Sequence, residues 1–159
     1  MLAEMPGLIT RIAGRGDGVT ADGRHVPLTA PGDVVAADGS ITRGEHHQAP
    51  ACRHYGKCGG CQLQHVDDAA YADYLVSQIS GALRAQKLPV PLIRAPYLSP
   101  PHSRRRASFR ALRMGKTVTL GFNEGRSHTI VDVRECATLA PELFAMLAPL
   151  RRLLADVMG

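Results

Sequence analysis

The chain has 159 residues, 45% hydrophobic and only 4% aromatic, with 19 Lys and Arg against 14 Asp and Glu for a formal charge of +5. That length allows one ordinary domain or two small ones, and the basic balance favours an anionic partner, nucleic acid rather than a membrane surface, because no long basic amphipathic helix is present. No apolar window is long enough to span a bilayer and "MLAEMPGLITRIAG" lacks the marks of a signal peptide, so a cytoplasmic chain without membrane association is expected.

The first forty-odd residues are short apolar runs cut by glycine and proline. "GLITRIA" predicts a strand, "ADGRHVPLTA" a hairpin at Asp22-Gly23 with both turn residues at positive φ, and "PGDVVAAD" a turn followed by a strand. Closely spaced strands without a helical period predict a small β-barrel over 1-45. "GSITRGEHHQAP" reads as a linker, with His46 and His47 as surface residues. Arg11, Arg15 and Arg24 are barrel cations available to an anionic ligand, although charged turn residues often serve solubility alone.

"CRHYGKCGGCQLQH" follows, holding three of the four cysteines, Cys52, Cys58 and Cys61, and the fourth, Cys136, stands far downstream in "IVDVRECATL". In a cytoplasmic chain, cysteines in this arrangement are metal ligands or redox groups before they are disulfides. The Gly59-Gly60 pair lets the backbone turn tightly and leaves amide N–H groups to point at sulfur. One C-x2-C knuckle with two single cysteines departs from the paired knuckles of structural zinc sites. Three near thiolates and one distant one suit an iron–sulfur cluster. A Cys3His zinc site drawing on His54 or His65 stays open on spacing alone, as does a redox pair.

Asp67 to Lys87 predicts a helix, with Tyr71, Leu75, Ile79 and Ala82/Leu83 on one side, Asp67 or Asp68 as cap, and Pro89 and Pro91 preventing its continuation. "RAPYLSPP" is a rigid connector in which Tyr97 is a stacking candidate. Tyr71, Tyr74, Phe109 and Phe122 read as packing residues. Arg104 to Arg113 predicts a strand with Ala107, Phe109 and Ala111 on one face and Arg104, Arg106, Ser108 and Arg110 on the other. Alternate arginines lie roughly 7 Å apart, a spacing that suits successive phosphates. Gly115-Lys116 and "NEGRS" turn into two further strands, completing an antiparallel meander and adding Lys116, Arg126 and His128 to the patch. Pro141 opens a helix with Leu143, Met146/Leu147, Leu150, Leu153/Leu154 and Val157 on one side, kinked or broken by Pro149.

On these residues the chain resembles the bacterial class I S-adenosylmethionine-dependent RNA uracil-5-methyltransferases. "CRHYGKCGGCQLQH" is similar to their cluster motif, "LITRIAGRGDGV…VPLTAPGDVV" to their N-terminal RNA-binding TRAM barrel, and "SRRRASFRA" to their arginine-rich central strand. "LGFNEGRSHTIVDVREC" resembles the segment that ends in their last cluster ligand. The resemblance implies a 4Fe–4S cluster on Cys52, Cys58, Cys61 and Cys136, with His65 packed beside it or capping the next helix. It implies a mixed α+β architecture: a TRAM/OB-like barrel at 1-45, an iron–sulfur and RNA-recognition domain at 46-137, and a helix at 138-159 leading to a methyltransferase domain that is absent here.

In that family a cysteine thiolate adds to uracil C6, and the enolate so formed attacks the methyl group of S-adenosylmethionine. Here the cluster would take every thiol. The only glycine-rich run, Gly14 to Gly18, sits in the barrel pattern and misses the G-x-G-x-x-G spacing. The expectation is therefore the RNA-recognition and iron–sulfur half of such an enzyme, acting on ribosomal or transfer RNA and monomeric when intact. It has no catalytic residue and no methyl-donor site of its own, and is inactive alone. A free-standing iron–sulfur or zinc protein that binds RNA or transfers electrons is the alternative.

Overall fold

A computed structural model describes residues 7–157. Eight strands and three helices appear in the order β1 (Ile9–Ile12), β2 (Gly18–Thr20), β3 (His25–Val26), β4 (Val34–Val35), β5 (Ile41–Thr42), α1 (Asp68–Ala85), β6 (Arg110–Met114), β7 (Thr117–Asn123), β8 (Ile130–Asp132), α2 (Pro141–Ala145) and α3 (Leu147–Val157). The fold is mixed, with small antiparallel sheets. It divides into two compact units, each made of two stretches: 1–49 with 62–98, and 50–61 with 99–159.

In the first unit β1, β2 and β3 form one antiparallel sheet and β4 and β5 another. A bridge from Leu8 to Val34 and the bond from Ile9 N–H to Asp33 O, 2.8 Å, join the two. The segment expected as a linker contributes β5, because Thr42 and Ile41 pair with Val34 and Val35. The Asp22-Gly23 turn forms with only Gly23 at positive φ, +89°. Asp22 instead accepts a bond from the Thr20 hydroxyl, and Thr20 Oγ1 accepts from Arg24 N–H at 2.9 Å. That local bonding replaces the mirror-image two-residue turn.

Helix α1 starts where expected, with Asp67 Oδ1 accepting from Ala70 N–H at 2.8 Å. Its buried side differs from the expected stripe. Ala70 and Ser80 are buried, and Tyr71 and Tyr74 pack on Ile12, Ala30 and Val66, but Ile79 is 53% exposed. The helix stops before either proline is reached. Lys87 adopts φ +57°, its N–H bonds Arg84 O, and Leu88 N–H returns to Leu83 O at 2.9 Å. This pair of bonds is a Schellman stop.

His46 and His47 are not simple surface residues. His47 Nδ1 lies 2.7 Å from Oδ2 of the fully buried Asp33, which also accepts from Ala30 N–H and, through Oδ1, from Gly44 N–H. His46 Nδ1 lies 2.9 Å from Asp67 Oδ2. His65 is 2% exposed, with Nε2 3.0 Å from Thr29 O and its ring edge-on to His47. It is a core residue of the first unit, whereas the cysteines all belong to the second, and Asp67 rather than His65 caps the helix.

In the second unit β6, β7 and β8 form the expected meander. The inner face of the sheet supplies Leu120, with Ala111 and Phe122, to a core completed by Val133 and by Leu147, Leu150 and Leu154 of α3. The helical stretch breaks at Met146, three residues before Pro149. Proline has no N–H to give the carbonyl of Ala145, so the turn before it opens. Part of the predicted apolar stripe stays uncovered, with Met146, Leu153 and Val157 exposed. The strand expected from Arg104 is regular only from Arg110. Arg104 pairs elsewhere: its N–H bonds Thr138 O and its carbonyl accepts from Ala140 N–H, both at 2.9 Å. The alternation of exposure nevertheless runs on, with Arg106, Ser108 and Arg110 exposed and Ala107, Phe109 and Ala111 half-buried. Among the described residues no helix is long and apolar enough to cross a membrane.

Candidate metal centre and nucleic-acid interface

All four cysteines are half-buried free thiols in the second unit. Two sets of backbone contacts bring their segments together. Around Cys52, Arg53 N–H donates to Glu135 Oε1 at 2.7 Å, and Arg134 N–H donates to His54 Nε2 at 3.2 Å. These bonds flank Cys136, whose Sγ is 3.3 Å from Thr138 Oγ1. His54 thus accepts a backbone bond at Nε2, one of the two ring nitrogens through which a histidine can ligate zinc. Around Cys58, Gly59 N–H bonds Asn123 O at 2.8 Å, Gly125 N–H bonds Lys57 O at 3.2 Å, and Cys58 bridges Glu124.

The Gly59-Gly60 pair is needed for close approach rather than for φ, since neither glycine has a positive value. A Cβ on Gly59 would lie 2.8 Å from Asn123 O, and one on Gly60 would lie 3.1 Å from the Phe122 ring and 3.4 Å from Cys58 Sγ.

Burial pushes the Cys58 thiol above its ordinary value. A bond from Gly60 N–H works against this shift, and the charges of Cys61, Cys52 and Cys136 add to it. Among the described residues no three His, Cys, Asp or Glu groups are placed to hold a single metal ion. Four half-buried thiols in one unit are donors of the type an iron–sulfur cluster uses, a group that spaces its ligands farther apart than a single ion does. On donor chemistry the residues fit a cluster.

A basin of about 760 Å³ opens beside the cysteine loop, lined by Gly59, Gly60, Arg104, Arg105, Arg106 and Ser108. Arg105, left off the predicted face, joins its neighbours because the chain has not entered a regular strand there. In this unit Arg53, Arg134 and Arg151 form ion pairs, whereas none of the three basin arginines pairs with a described carboxylate. The other predicted cations do not form one patch. Lys116 sits in the turn before β7, and Arg126 and His128 in the turn after it, so seven residues of strand, about 20 Å, separate them. Arg110 is exposed on β6 between these ends. In the first unit Arg11, Arg15 and Arg24 are exposed, and Tyr97 is 88% exposed.

No protein-family model matches the chain. It is 44% identical over 146 residues to an uncharacterized RNA methyltransferase of Zymomonas mobilis, covering 92% of this chain and 37% of that protein. It is 41% identical over 160 residues to one of Caulobacter vibrioides, covering 91% and 38%. With the 23S rRNA (uracil(1939)-C(5))-methyltransferase RlmD of Halomonas elongata it shares 35% identity over 121 residues, covering 75% and 24%. The chain thus spans well under half the length of the curated relatives it matches. Their names support an RNA methyltransferase family for it.

Proposed function

We propose that the chain supplies RNA recognition and an iron–sulfur cluster to an RNA (uracil-5-)-methyltransferase acting on ribosomal or transfer RNA in the cytoplasm. Cys52, Cys58, Cys61 and Cys136 hold a 4Fe–4S cluster, and the strands of residues 7–45 act as a TRAM-like RNA-binding module. The observation that carries this reading is the gathering of all four cysteines into one compact unit, where hydrogen bonds tie the segment of Cys52 to residues 134–135 and that of Cys58 to residues 123–125. Similarity to a 23S rRNA uracil-C5 methyltransferase supports the substrate class. The cluster supplies structural cross-linking of the unit when bound.

Arg104, Arg106 and Arg110 bind the RNA backbone, with Lys116, Arg126 and His128 as outlying contacts. Arg104, Arg106 and Arg110 form no ion pair with a described carboxylate, and guanidiniums so placed bind phosphate with paired, charge-assisted N–H bonds. With four thiols committed to the cluster, the nucleophile that adds to uracil, and the site for S-adenosylmethionine, belong to residues outside this chain. The intact enzyme is monomeric.

Anaerobic purification followed by iron, sulfide and zinc analysis tests the reading. About four irons and four sulfides per chain, with visible colour, are expected. A colourless protein with one zinc per chain would overturn it. Binding of a short single-stranded oligoribonucleotide, followed by fluorescence anisotropy, tests the RNA half. Phosphate contacts predict affinity falling steeply with salt.

A further inference from the structure

We propose that the cysteine loop is itself one wall of the RNA site, so that RNA occupancy of the arginine basin and retention of the metal group are energetically linked. This rests on the two readings above and adds that they are one site rather than two.

The backbone of Gly59 and Gly60, between two of the thiols, faces the same basin as Arg104, Arg105, Arg106 and Ser108. Neither glycine has a side chain to hold a ligand off, so whatever fills the basin lies against the loop. The arginine run is anchored at its other end to the segment just after Cys136, through the bonds of Arg104 to Thr138 and Ala140. The run is thus tied at one end to the distant cysteine and opens at the other onto the C-x2-C loop. Three guanidiniums without carboxylate partners leave positive charge to be answered from outside, and the Ser108 hydroxyl adds a neutral donor. The volume suits a few backbone units of a single strand, not a free ion. RNA phosphate is the occupant of matching charge and reach. Seated there, it covers the loop against solvent and competing chelators. By reciprocity, a loop that keeps its metal presents a firmer wall to RNA.

The test uses the chain loaded with iron under anaerobic conditions and challenged with a ferrous chelator, with and without saturating single-stranded oligouridylate. Chelate absorbance reports iron release, and anisotropy reports RNA binding. RNA is expected to slow release by about tenfold. The double variant Arg104→Ala/Arg106→Ala should weaken RNA binding and lose the protection, as should the charge reversal Arg105→Glu. Arg152→Ala, exposed on α3 and away from the basin lining, should change neither. RNA that binds without slowing release overturns the linkage and leaves the RNA reading standing. A chain that binds no RNA overturns both. Full protection retained in both basin variants moves RNA off this loop and also overturns the inference.

Discussion

Gly59 lacks a side chain because a carbonyl oxygen occupies the space where one would go. The Cβ of Gly59→Ala would stand 2.8 Å from Asn123 O, a backbone atom held in place by its own bond from Gly59 N–H. Nothing flexible can yield, so the loop or the end of β7 must shift, at a cost of about 2 kcal/mol. Chemical denaturation of the variant should show that loss together with a lower iron content. Arg151 offers a second test. Its Nη2 donates to Asp132 Oδ1 at 2.8 Å, Val133 O at 2.7 Å and Leu120 O at 3.2 Å. Burial alone would raise the Asp132 carboxyl, but the Leu120 N–H and then Arg151 and Arg134 hold it below its ordinary value. Arg151→Ala leaves Val133 O without its donor and takes one cation from Asp132, which keeps Leu120 N–H and Arg134, while Leu120 O keeps Val133 N–H, a loss of about 1–2 kcal/mol. Neither role was legible locally. The glycines read as turn residues and Arg151 drew no reading at all, because their partners lie far away in sequence.

At the scale of the element, what is local was readable and what is borrowed from a distant segment was not. The start of α1 follows from Asp67 and the apolar pattern after it. Its end follows from Lys87 taking a left-handed conformation that a non-glycine residue enters at a cost. Lys87→Gly should therefore stabilise the chain by about 0.5–1 kcal/mol, read as a raised Tm with unchanged helix content. The arginine strand was overextended for the complementary reason: alternation was present, but Arg104 had given its backbone bonds to residues 138–140.

The cap of α1 also carries a pH dependence. Its bond to Asp67 raises the His46 pKa against a smaller opposing effect of burial. Burial would raise the Asp67 carboxyl, but Ala70 N–H and His46 outweigh it and hold it low. The His46 contribution is complete below its unfolded value near 6.5 and is lost as pH rises through the higher folded value. The Asp67 contribution is lost only as pH falls through its depressed value. The stability difference between the wild type and His46→Gln should therefore shrink by about 0.5 kcal/mol from pH 6 to pH 8 in thermal melts; burial lowers the His65 pKa and gives the opposite trend, but in both proteins, so it cancels in the difference.

For the whole molecule the consequential feature is that neither unit is continuous in sequence. Residues 50–61 leave the first unit's chain, join the second, and return at Gln62. That excursion carries three of the four cysteines, and among the described residues hydrogen bonds tie it to the rest of the second unit from Arg53 and His54 to residues 134–135 and from Lys57 and Gly59 to residues 123–125. A handful of hydrogen bonds, each worth about 1 kcal/mol net, is little against the entropy of ordering twelve residues at about 1–2 kcal/mol each. The proposed cluster, ligated at both ends, would help to close that gap, because ligand binding free energy becomes folding free energy. Cys58→Ser and Cys136→Ser should therefore lose iron and protease resistance together. The first cuts should fall within 50–61, identified by mass spectrometry, while the β-strands of residues 7–45 persist by circular dichroism. Cys136→Ser is the sharper of the two, since it leaves the excursion's own sequence untouched and removes only its distant anchor. An iron-free Cys136→Ser chain that resists protease within 50–61 would show that the hydrogen bonds suffice and that the cluster serves some purpose other than holding the unit closed.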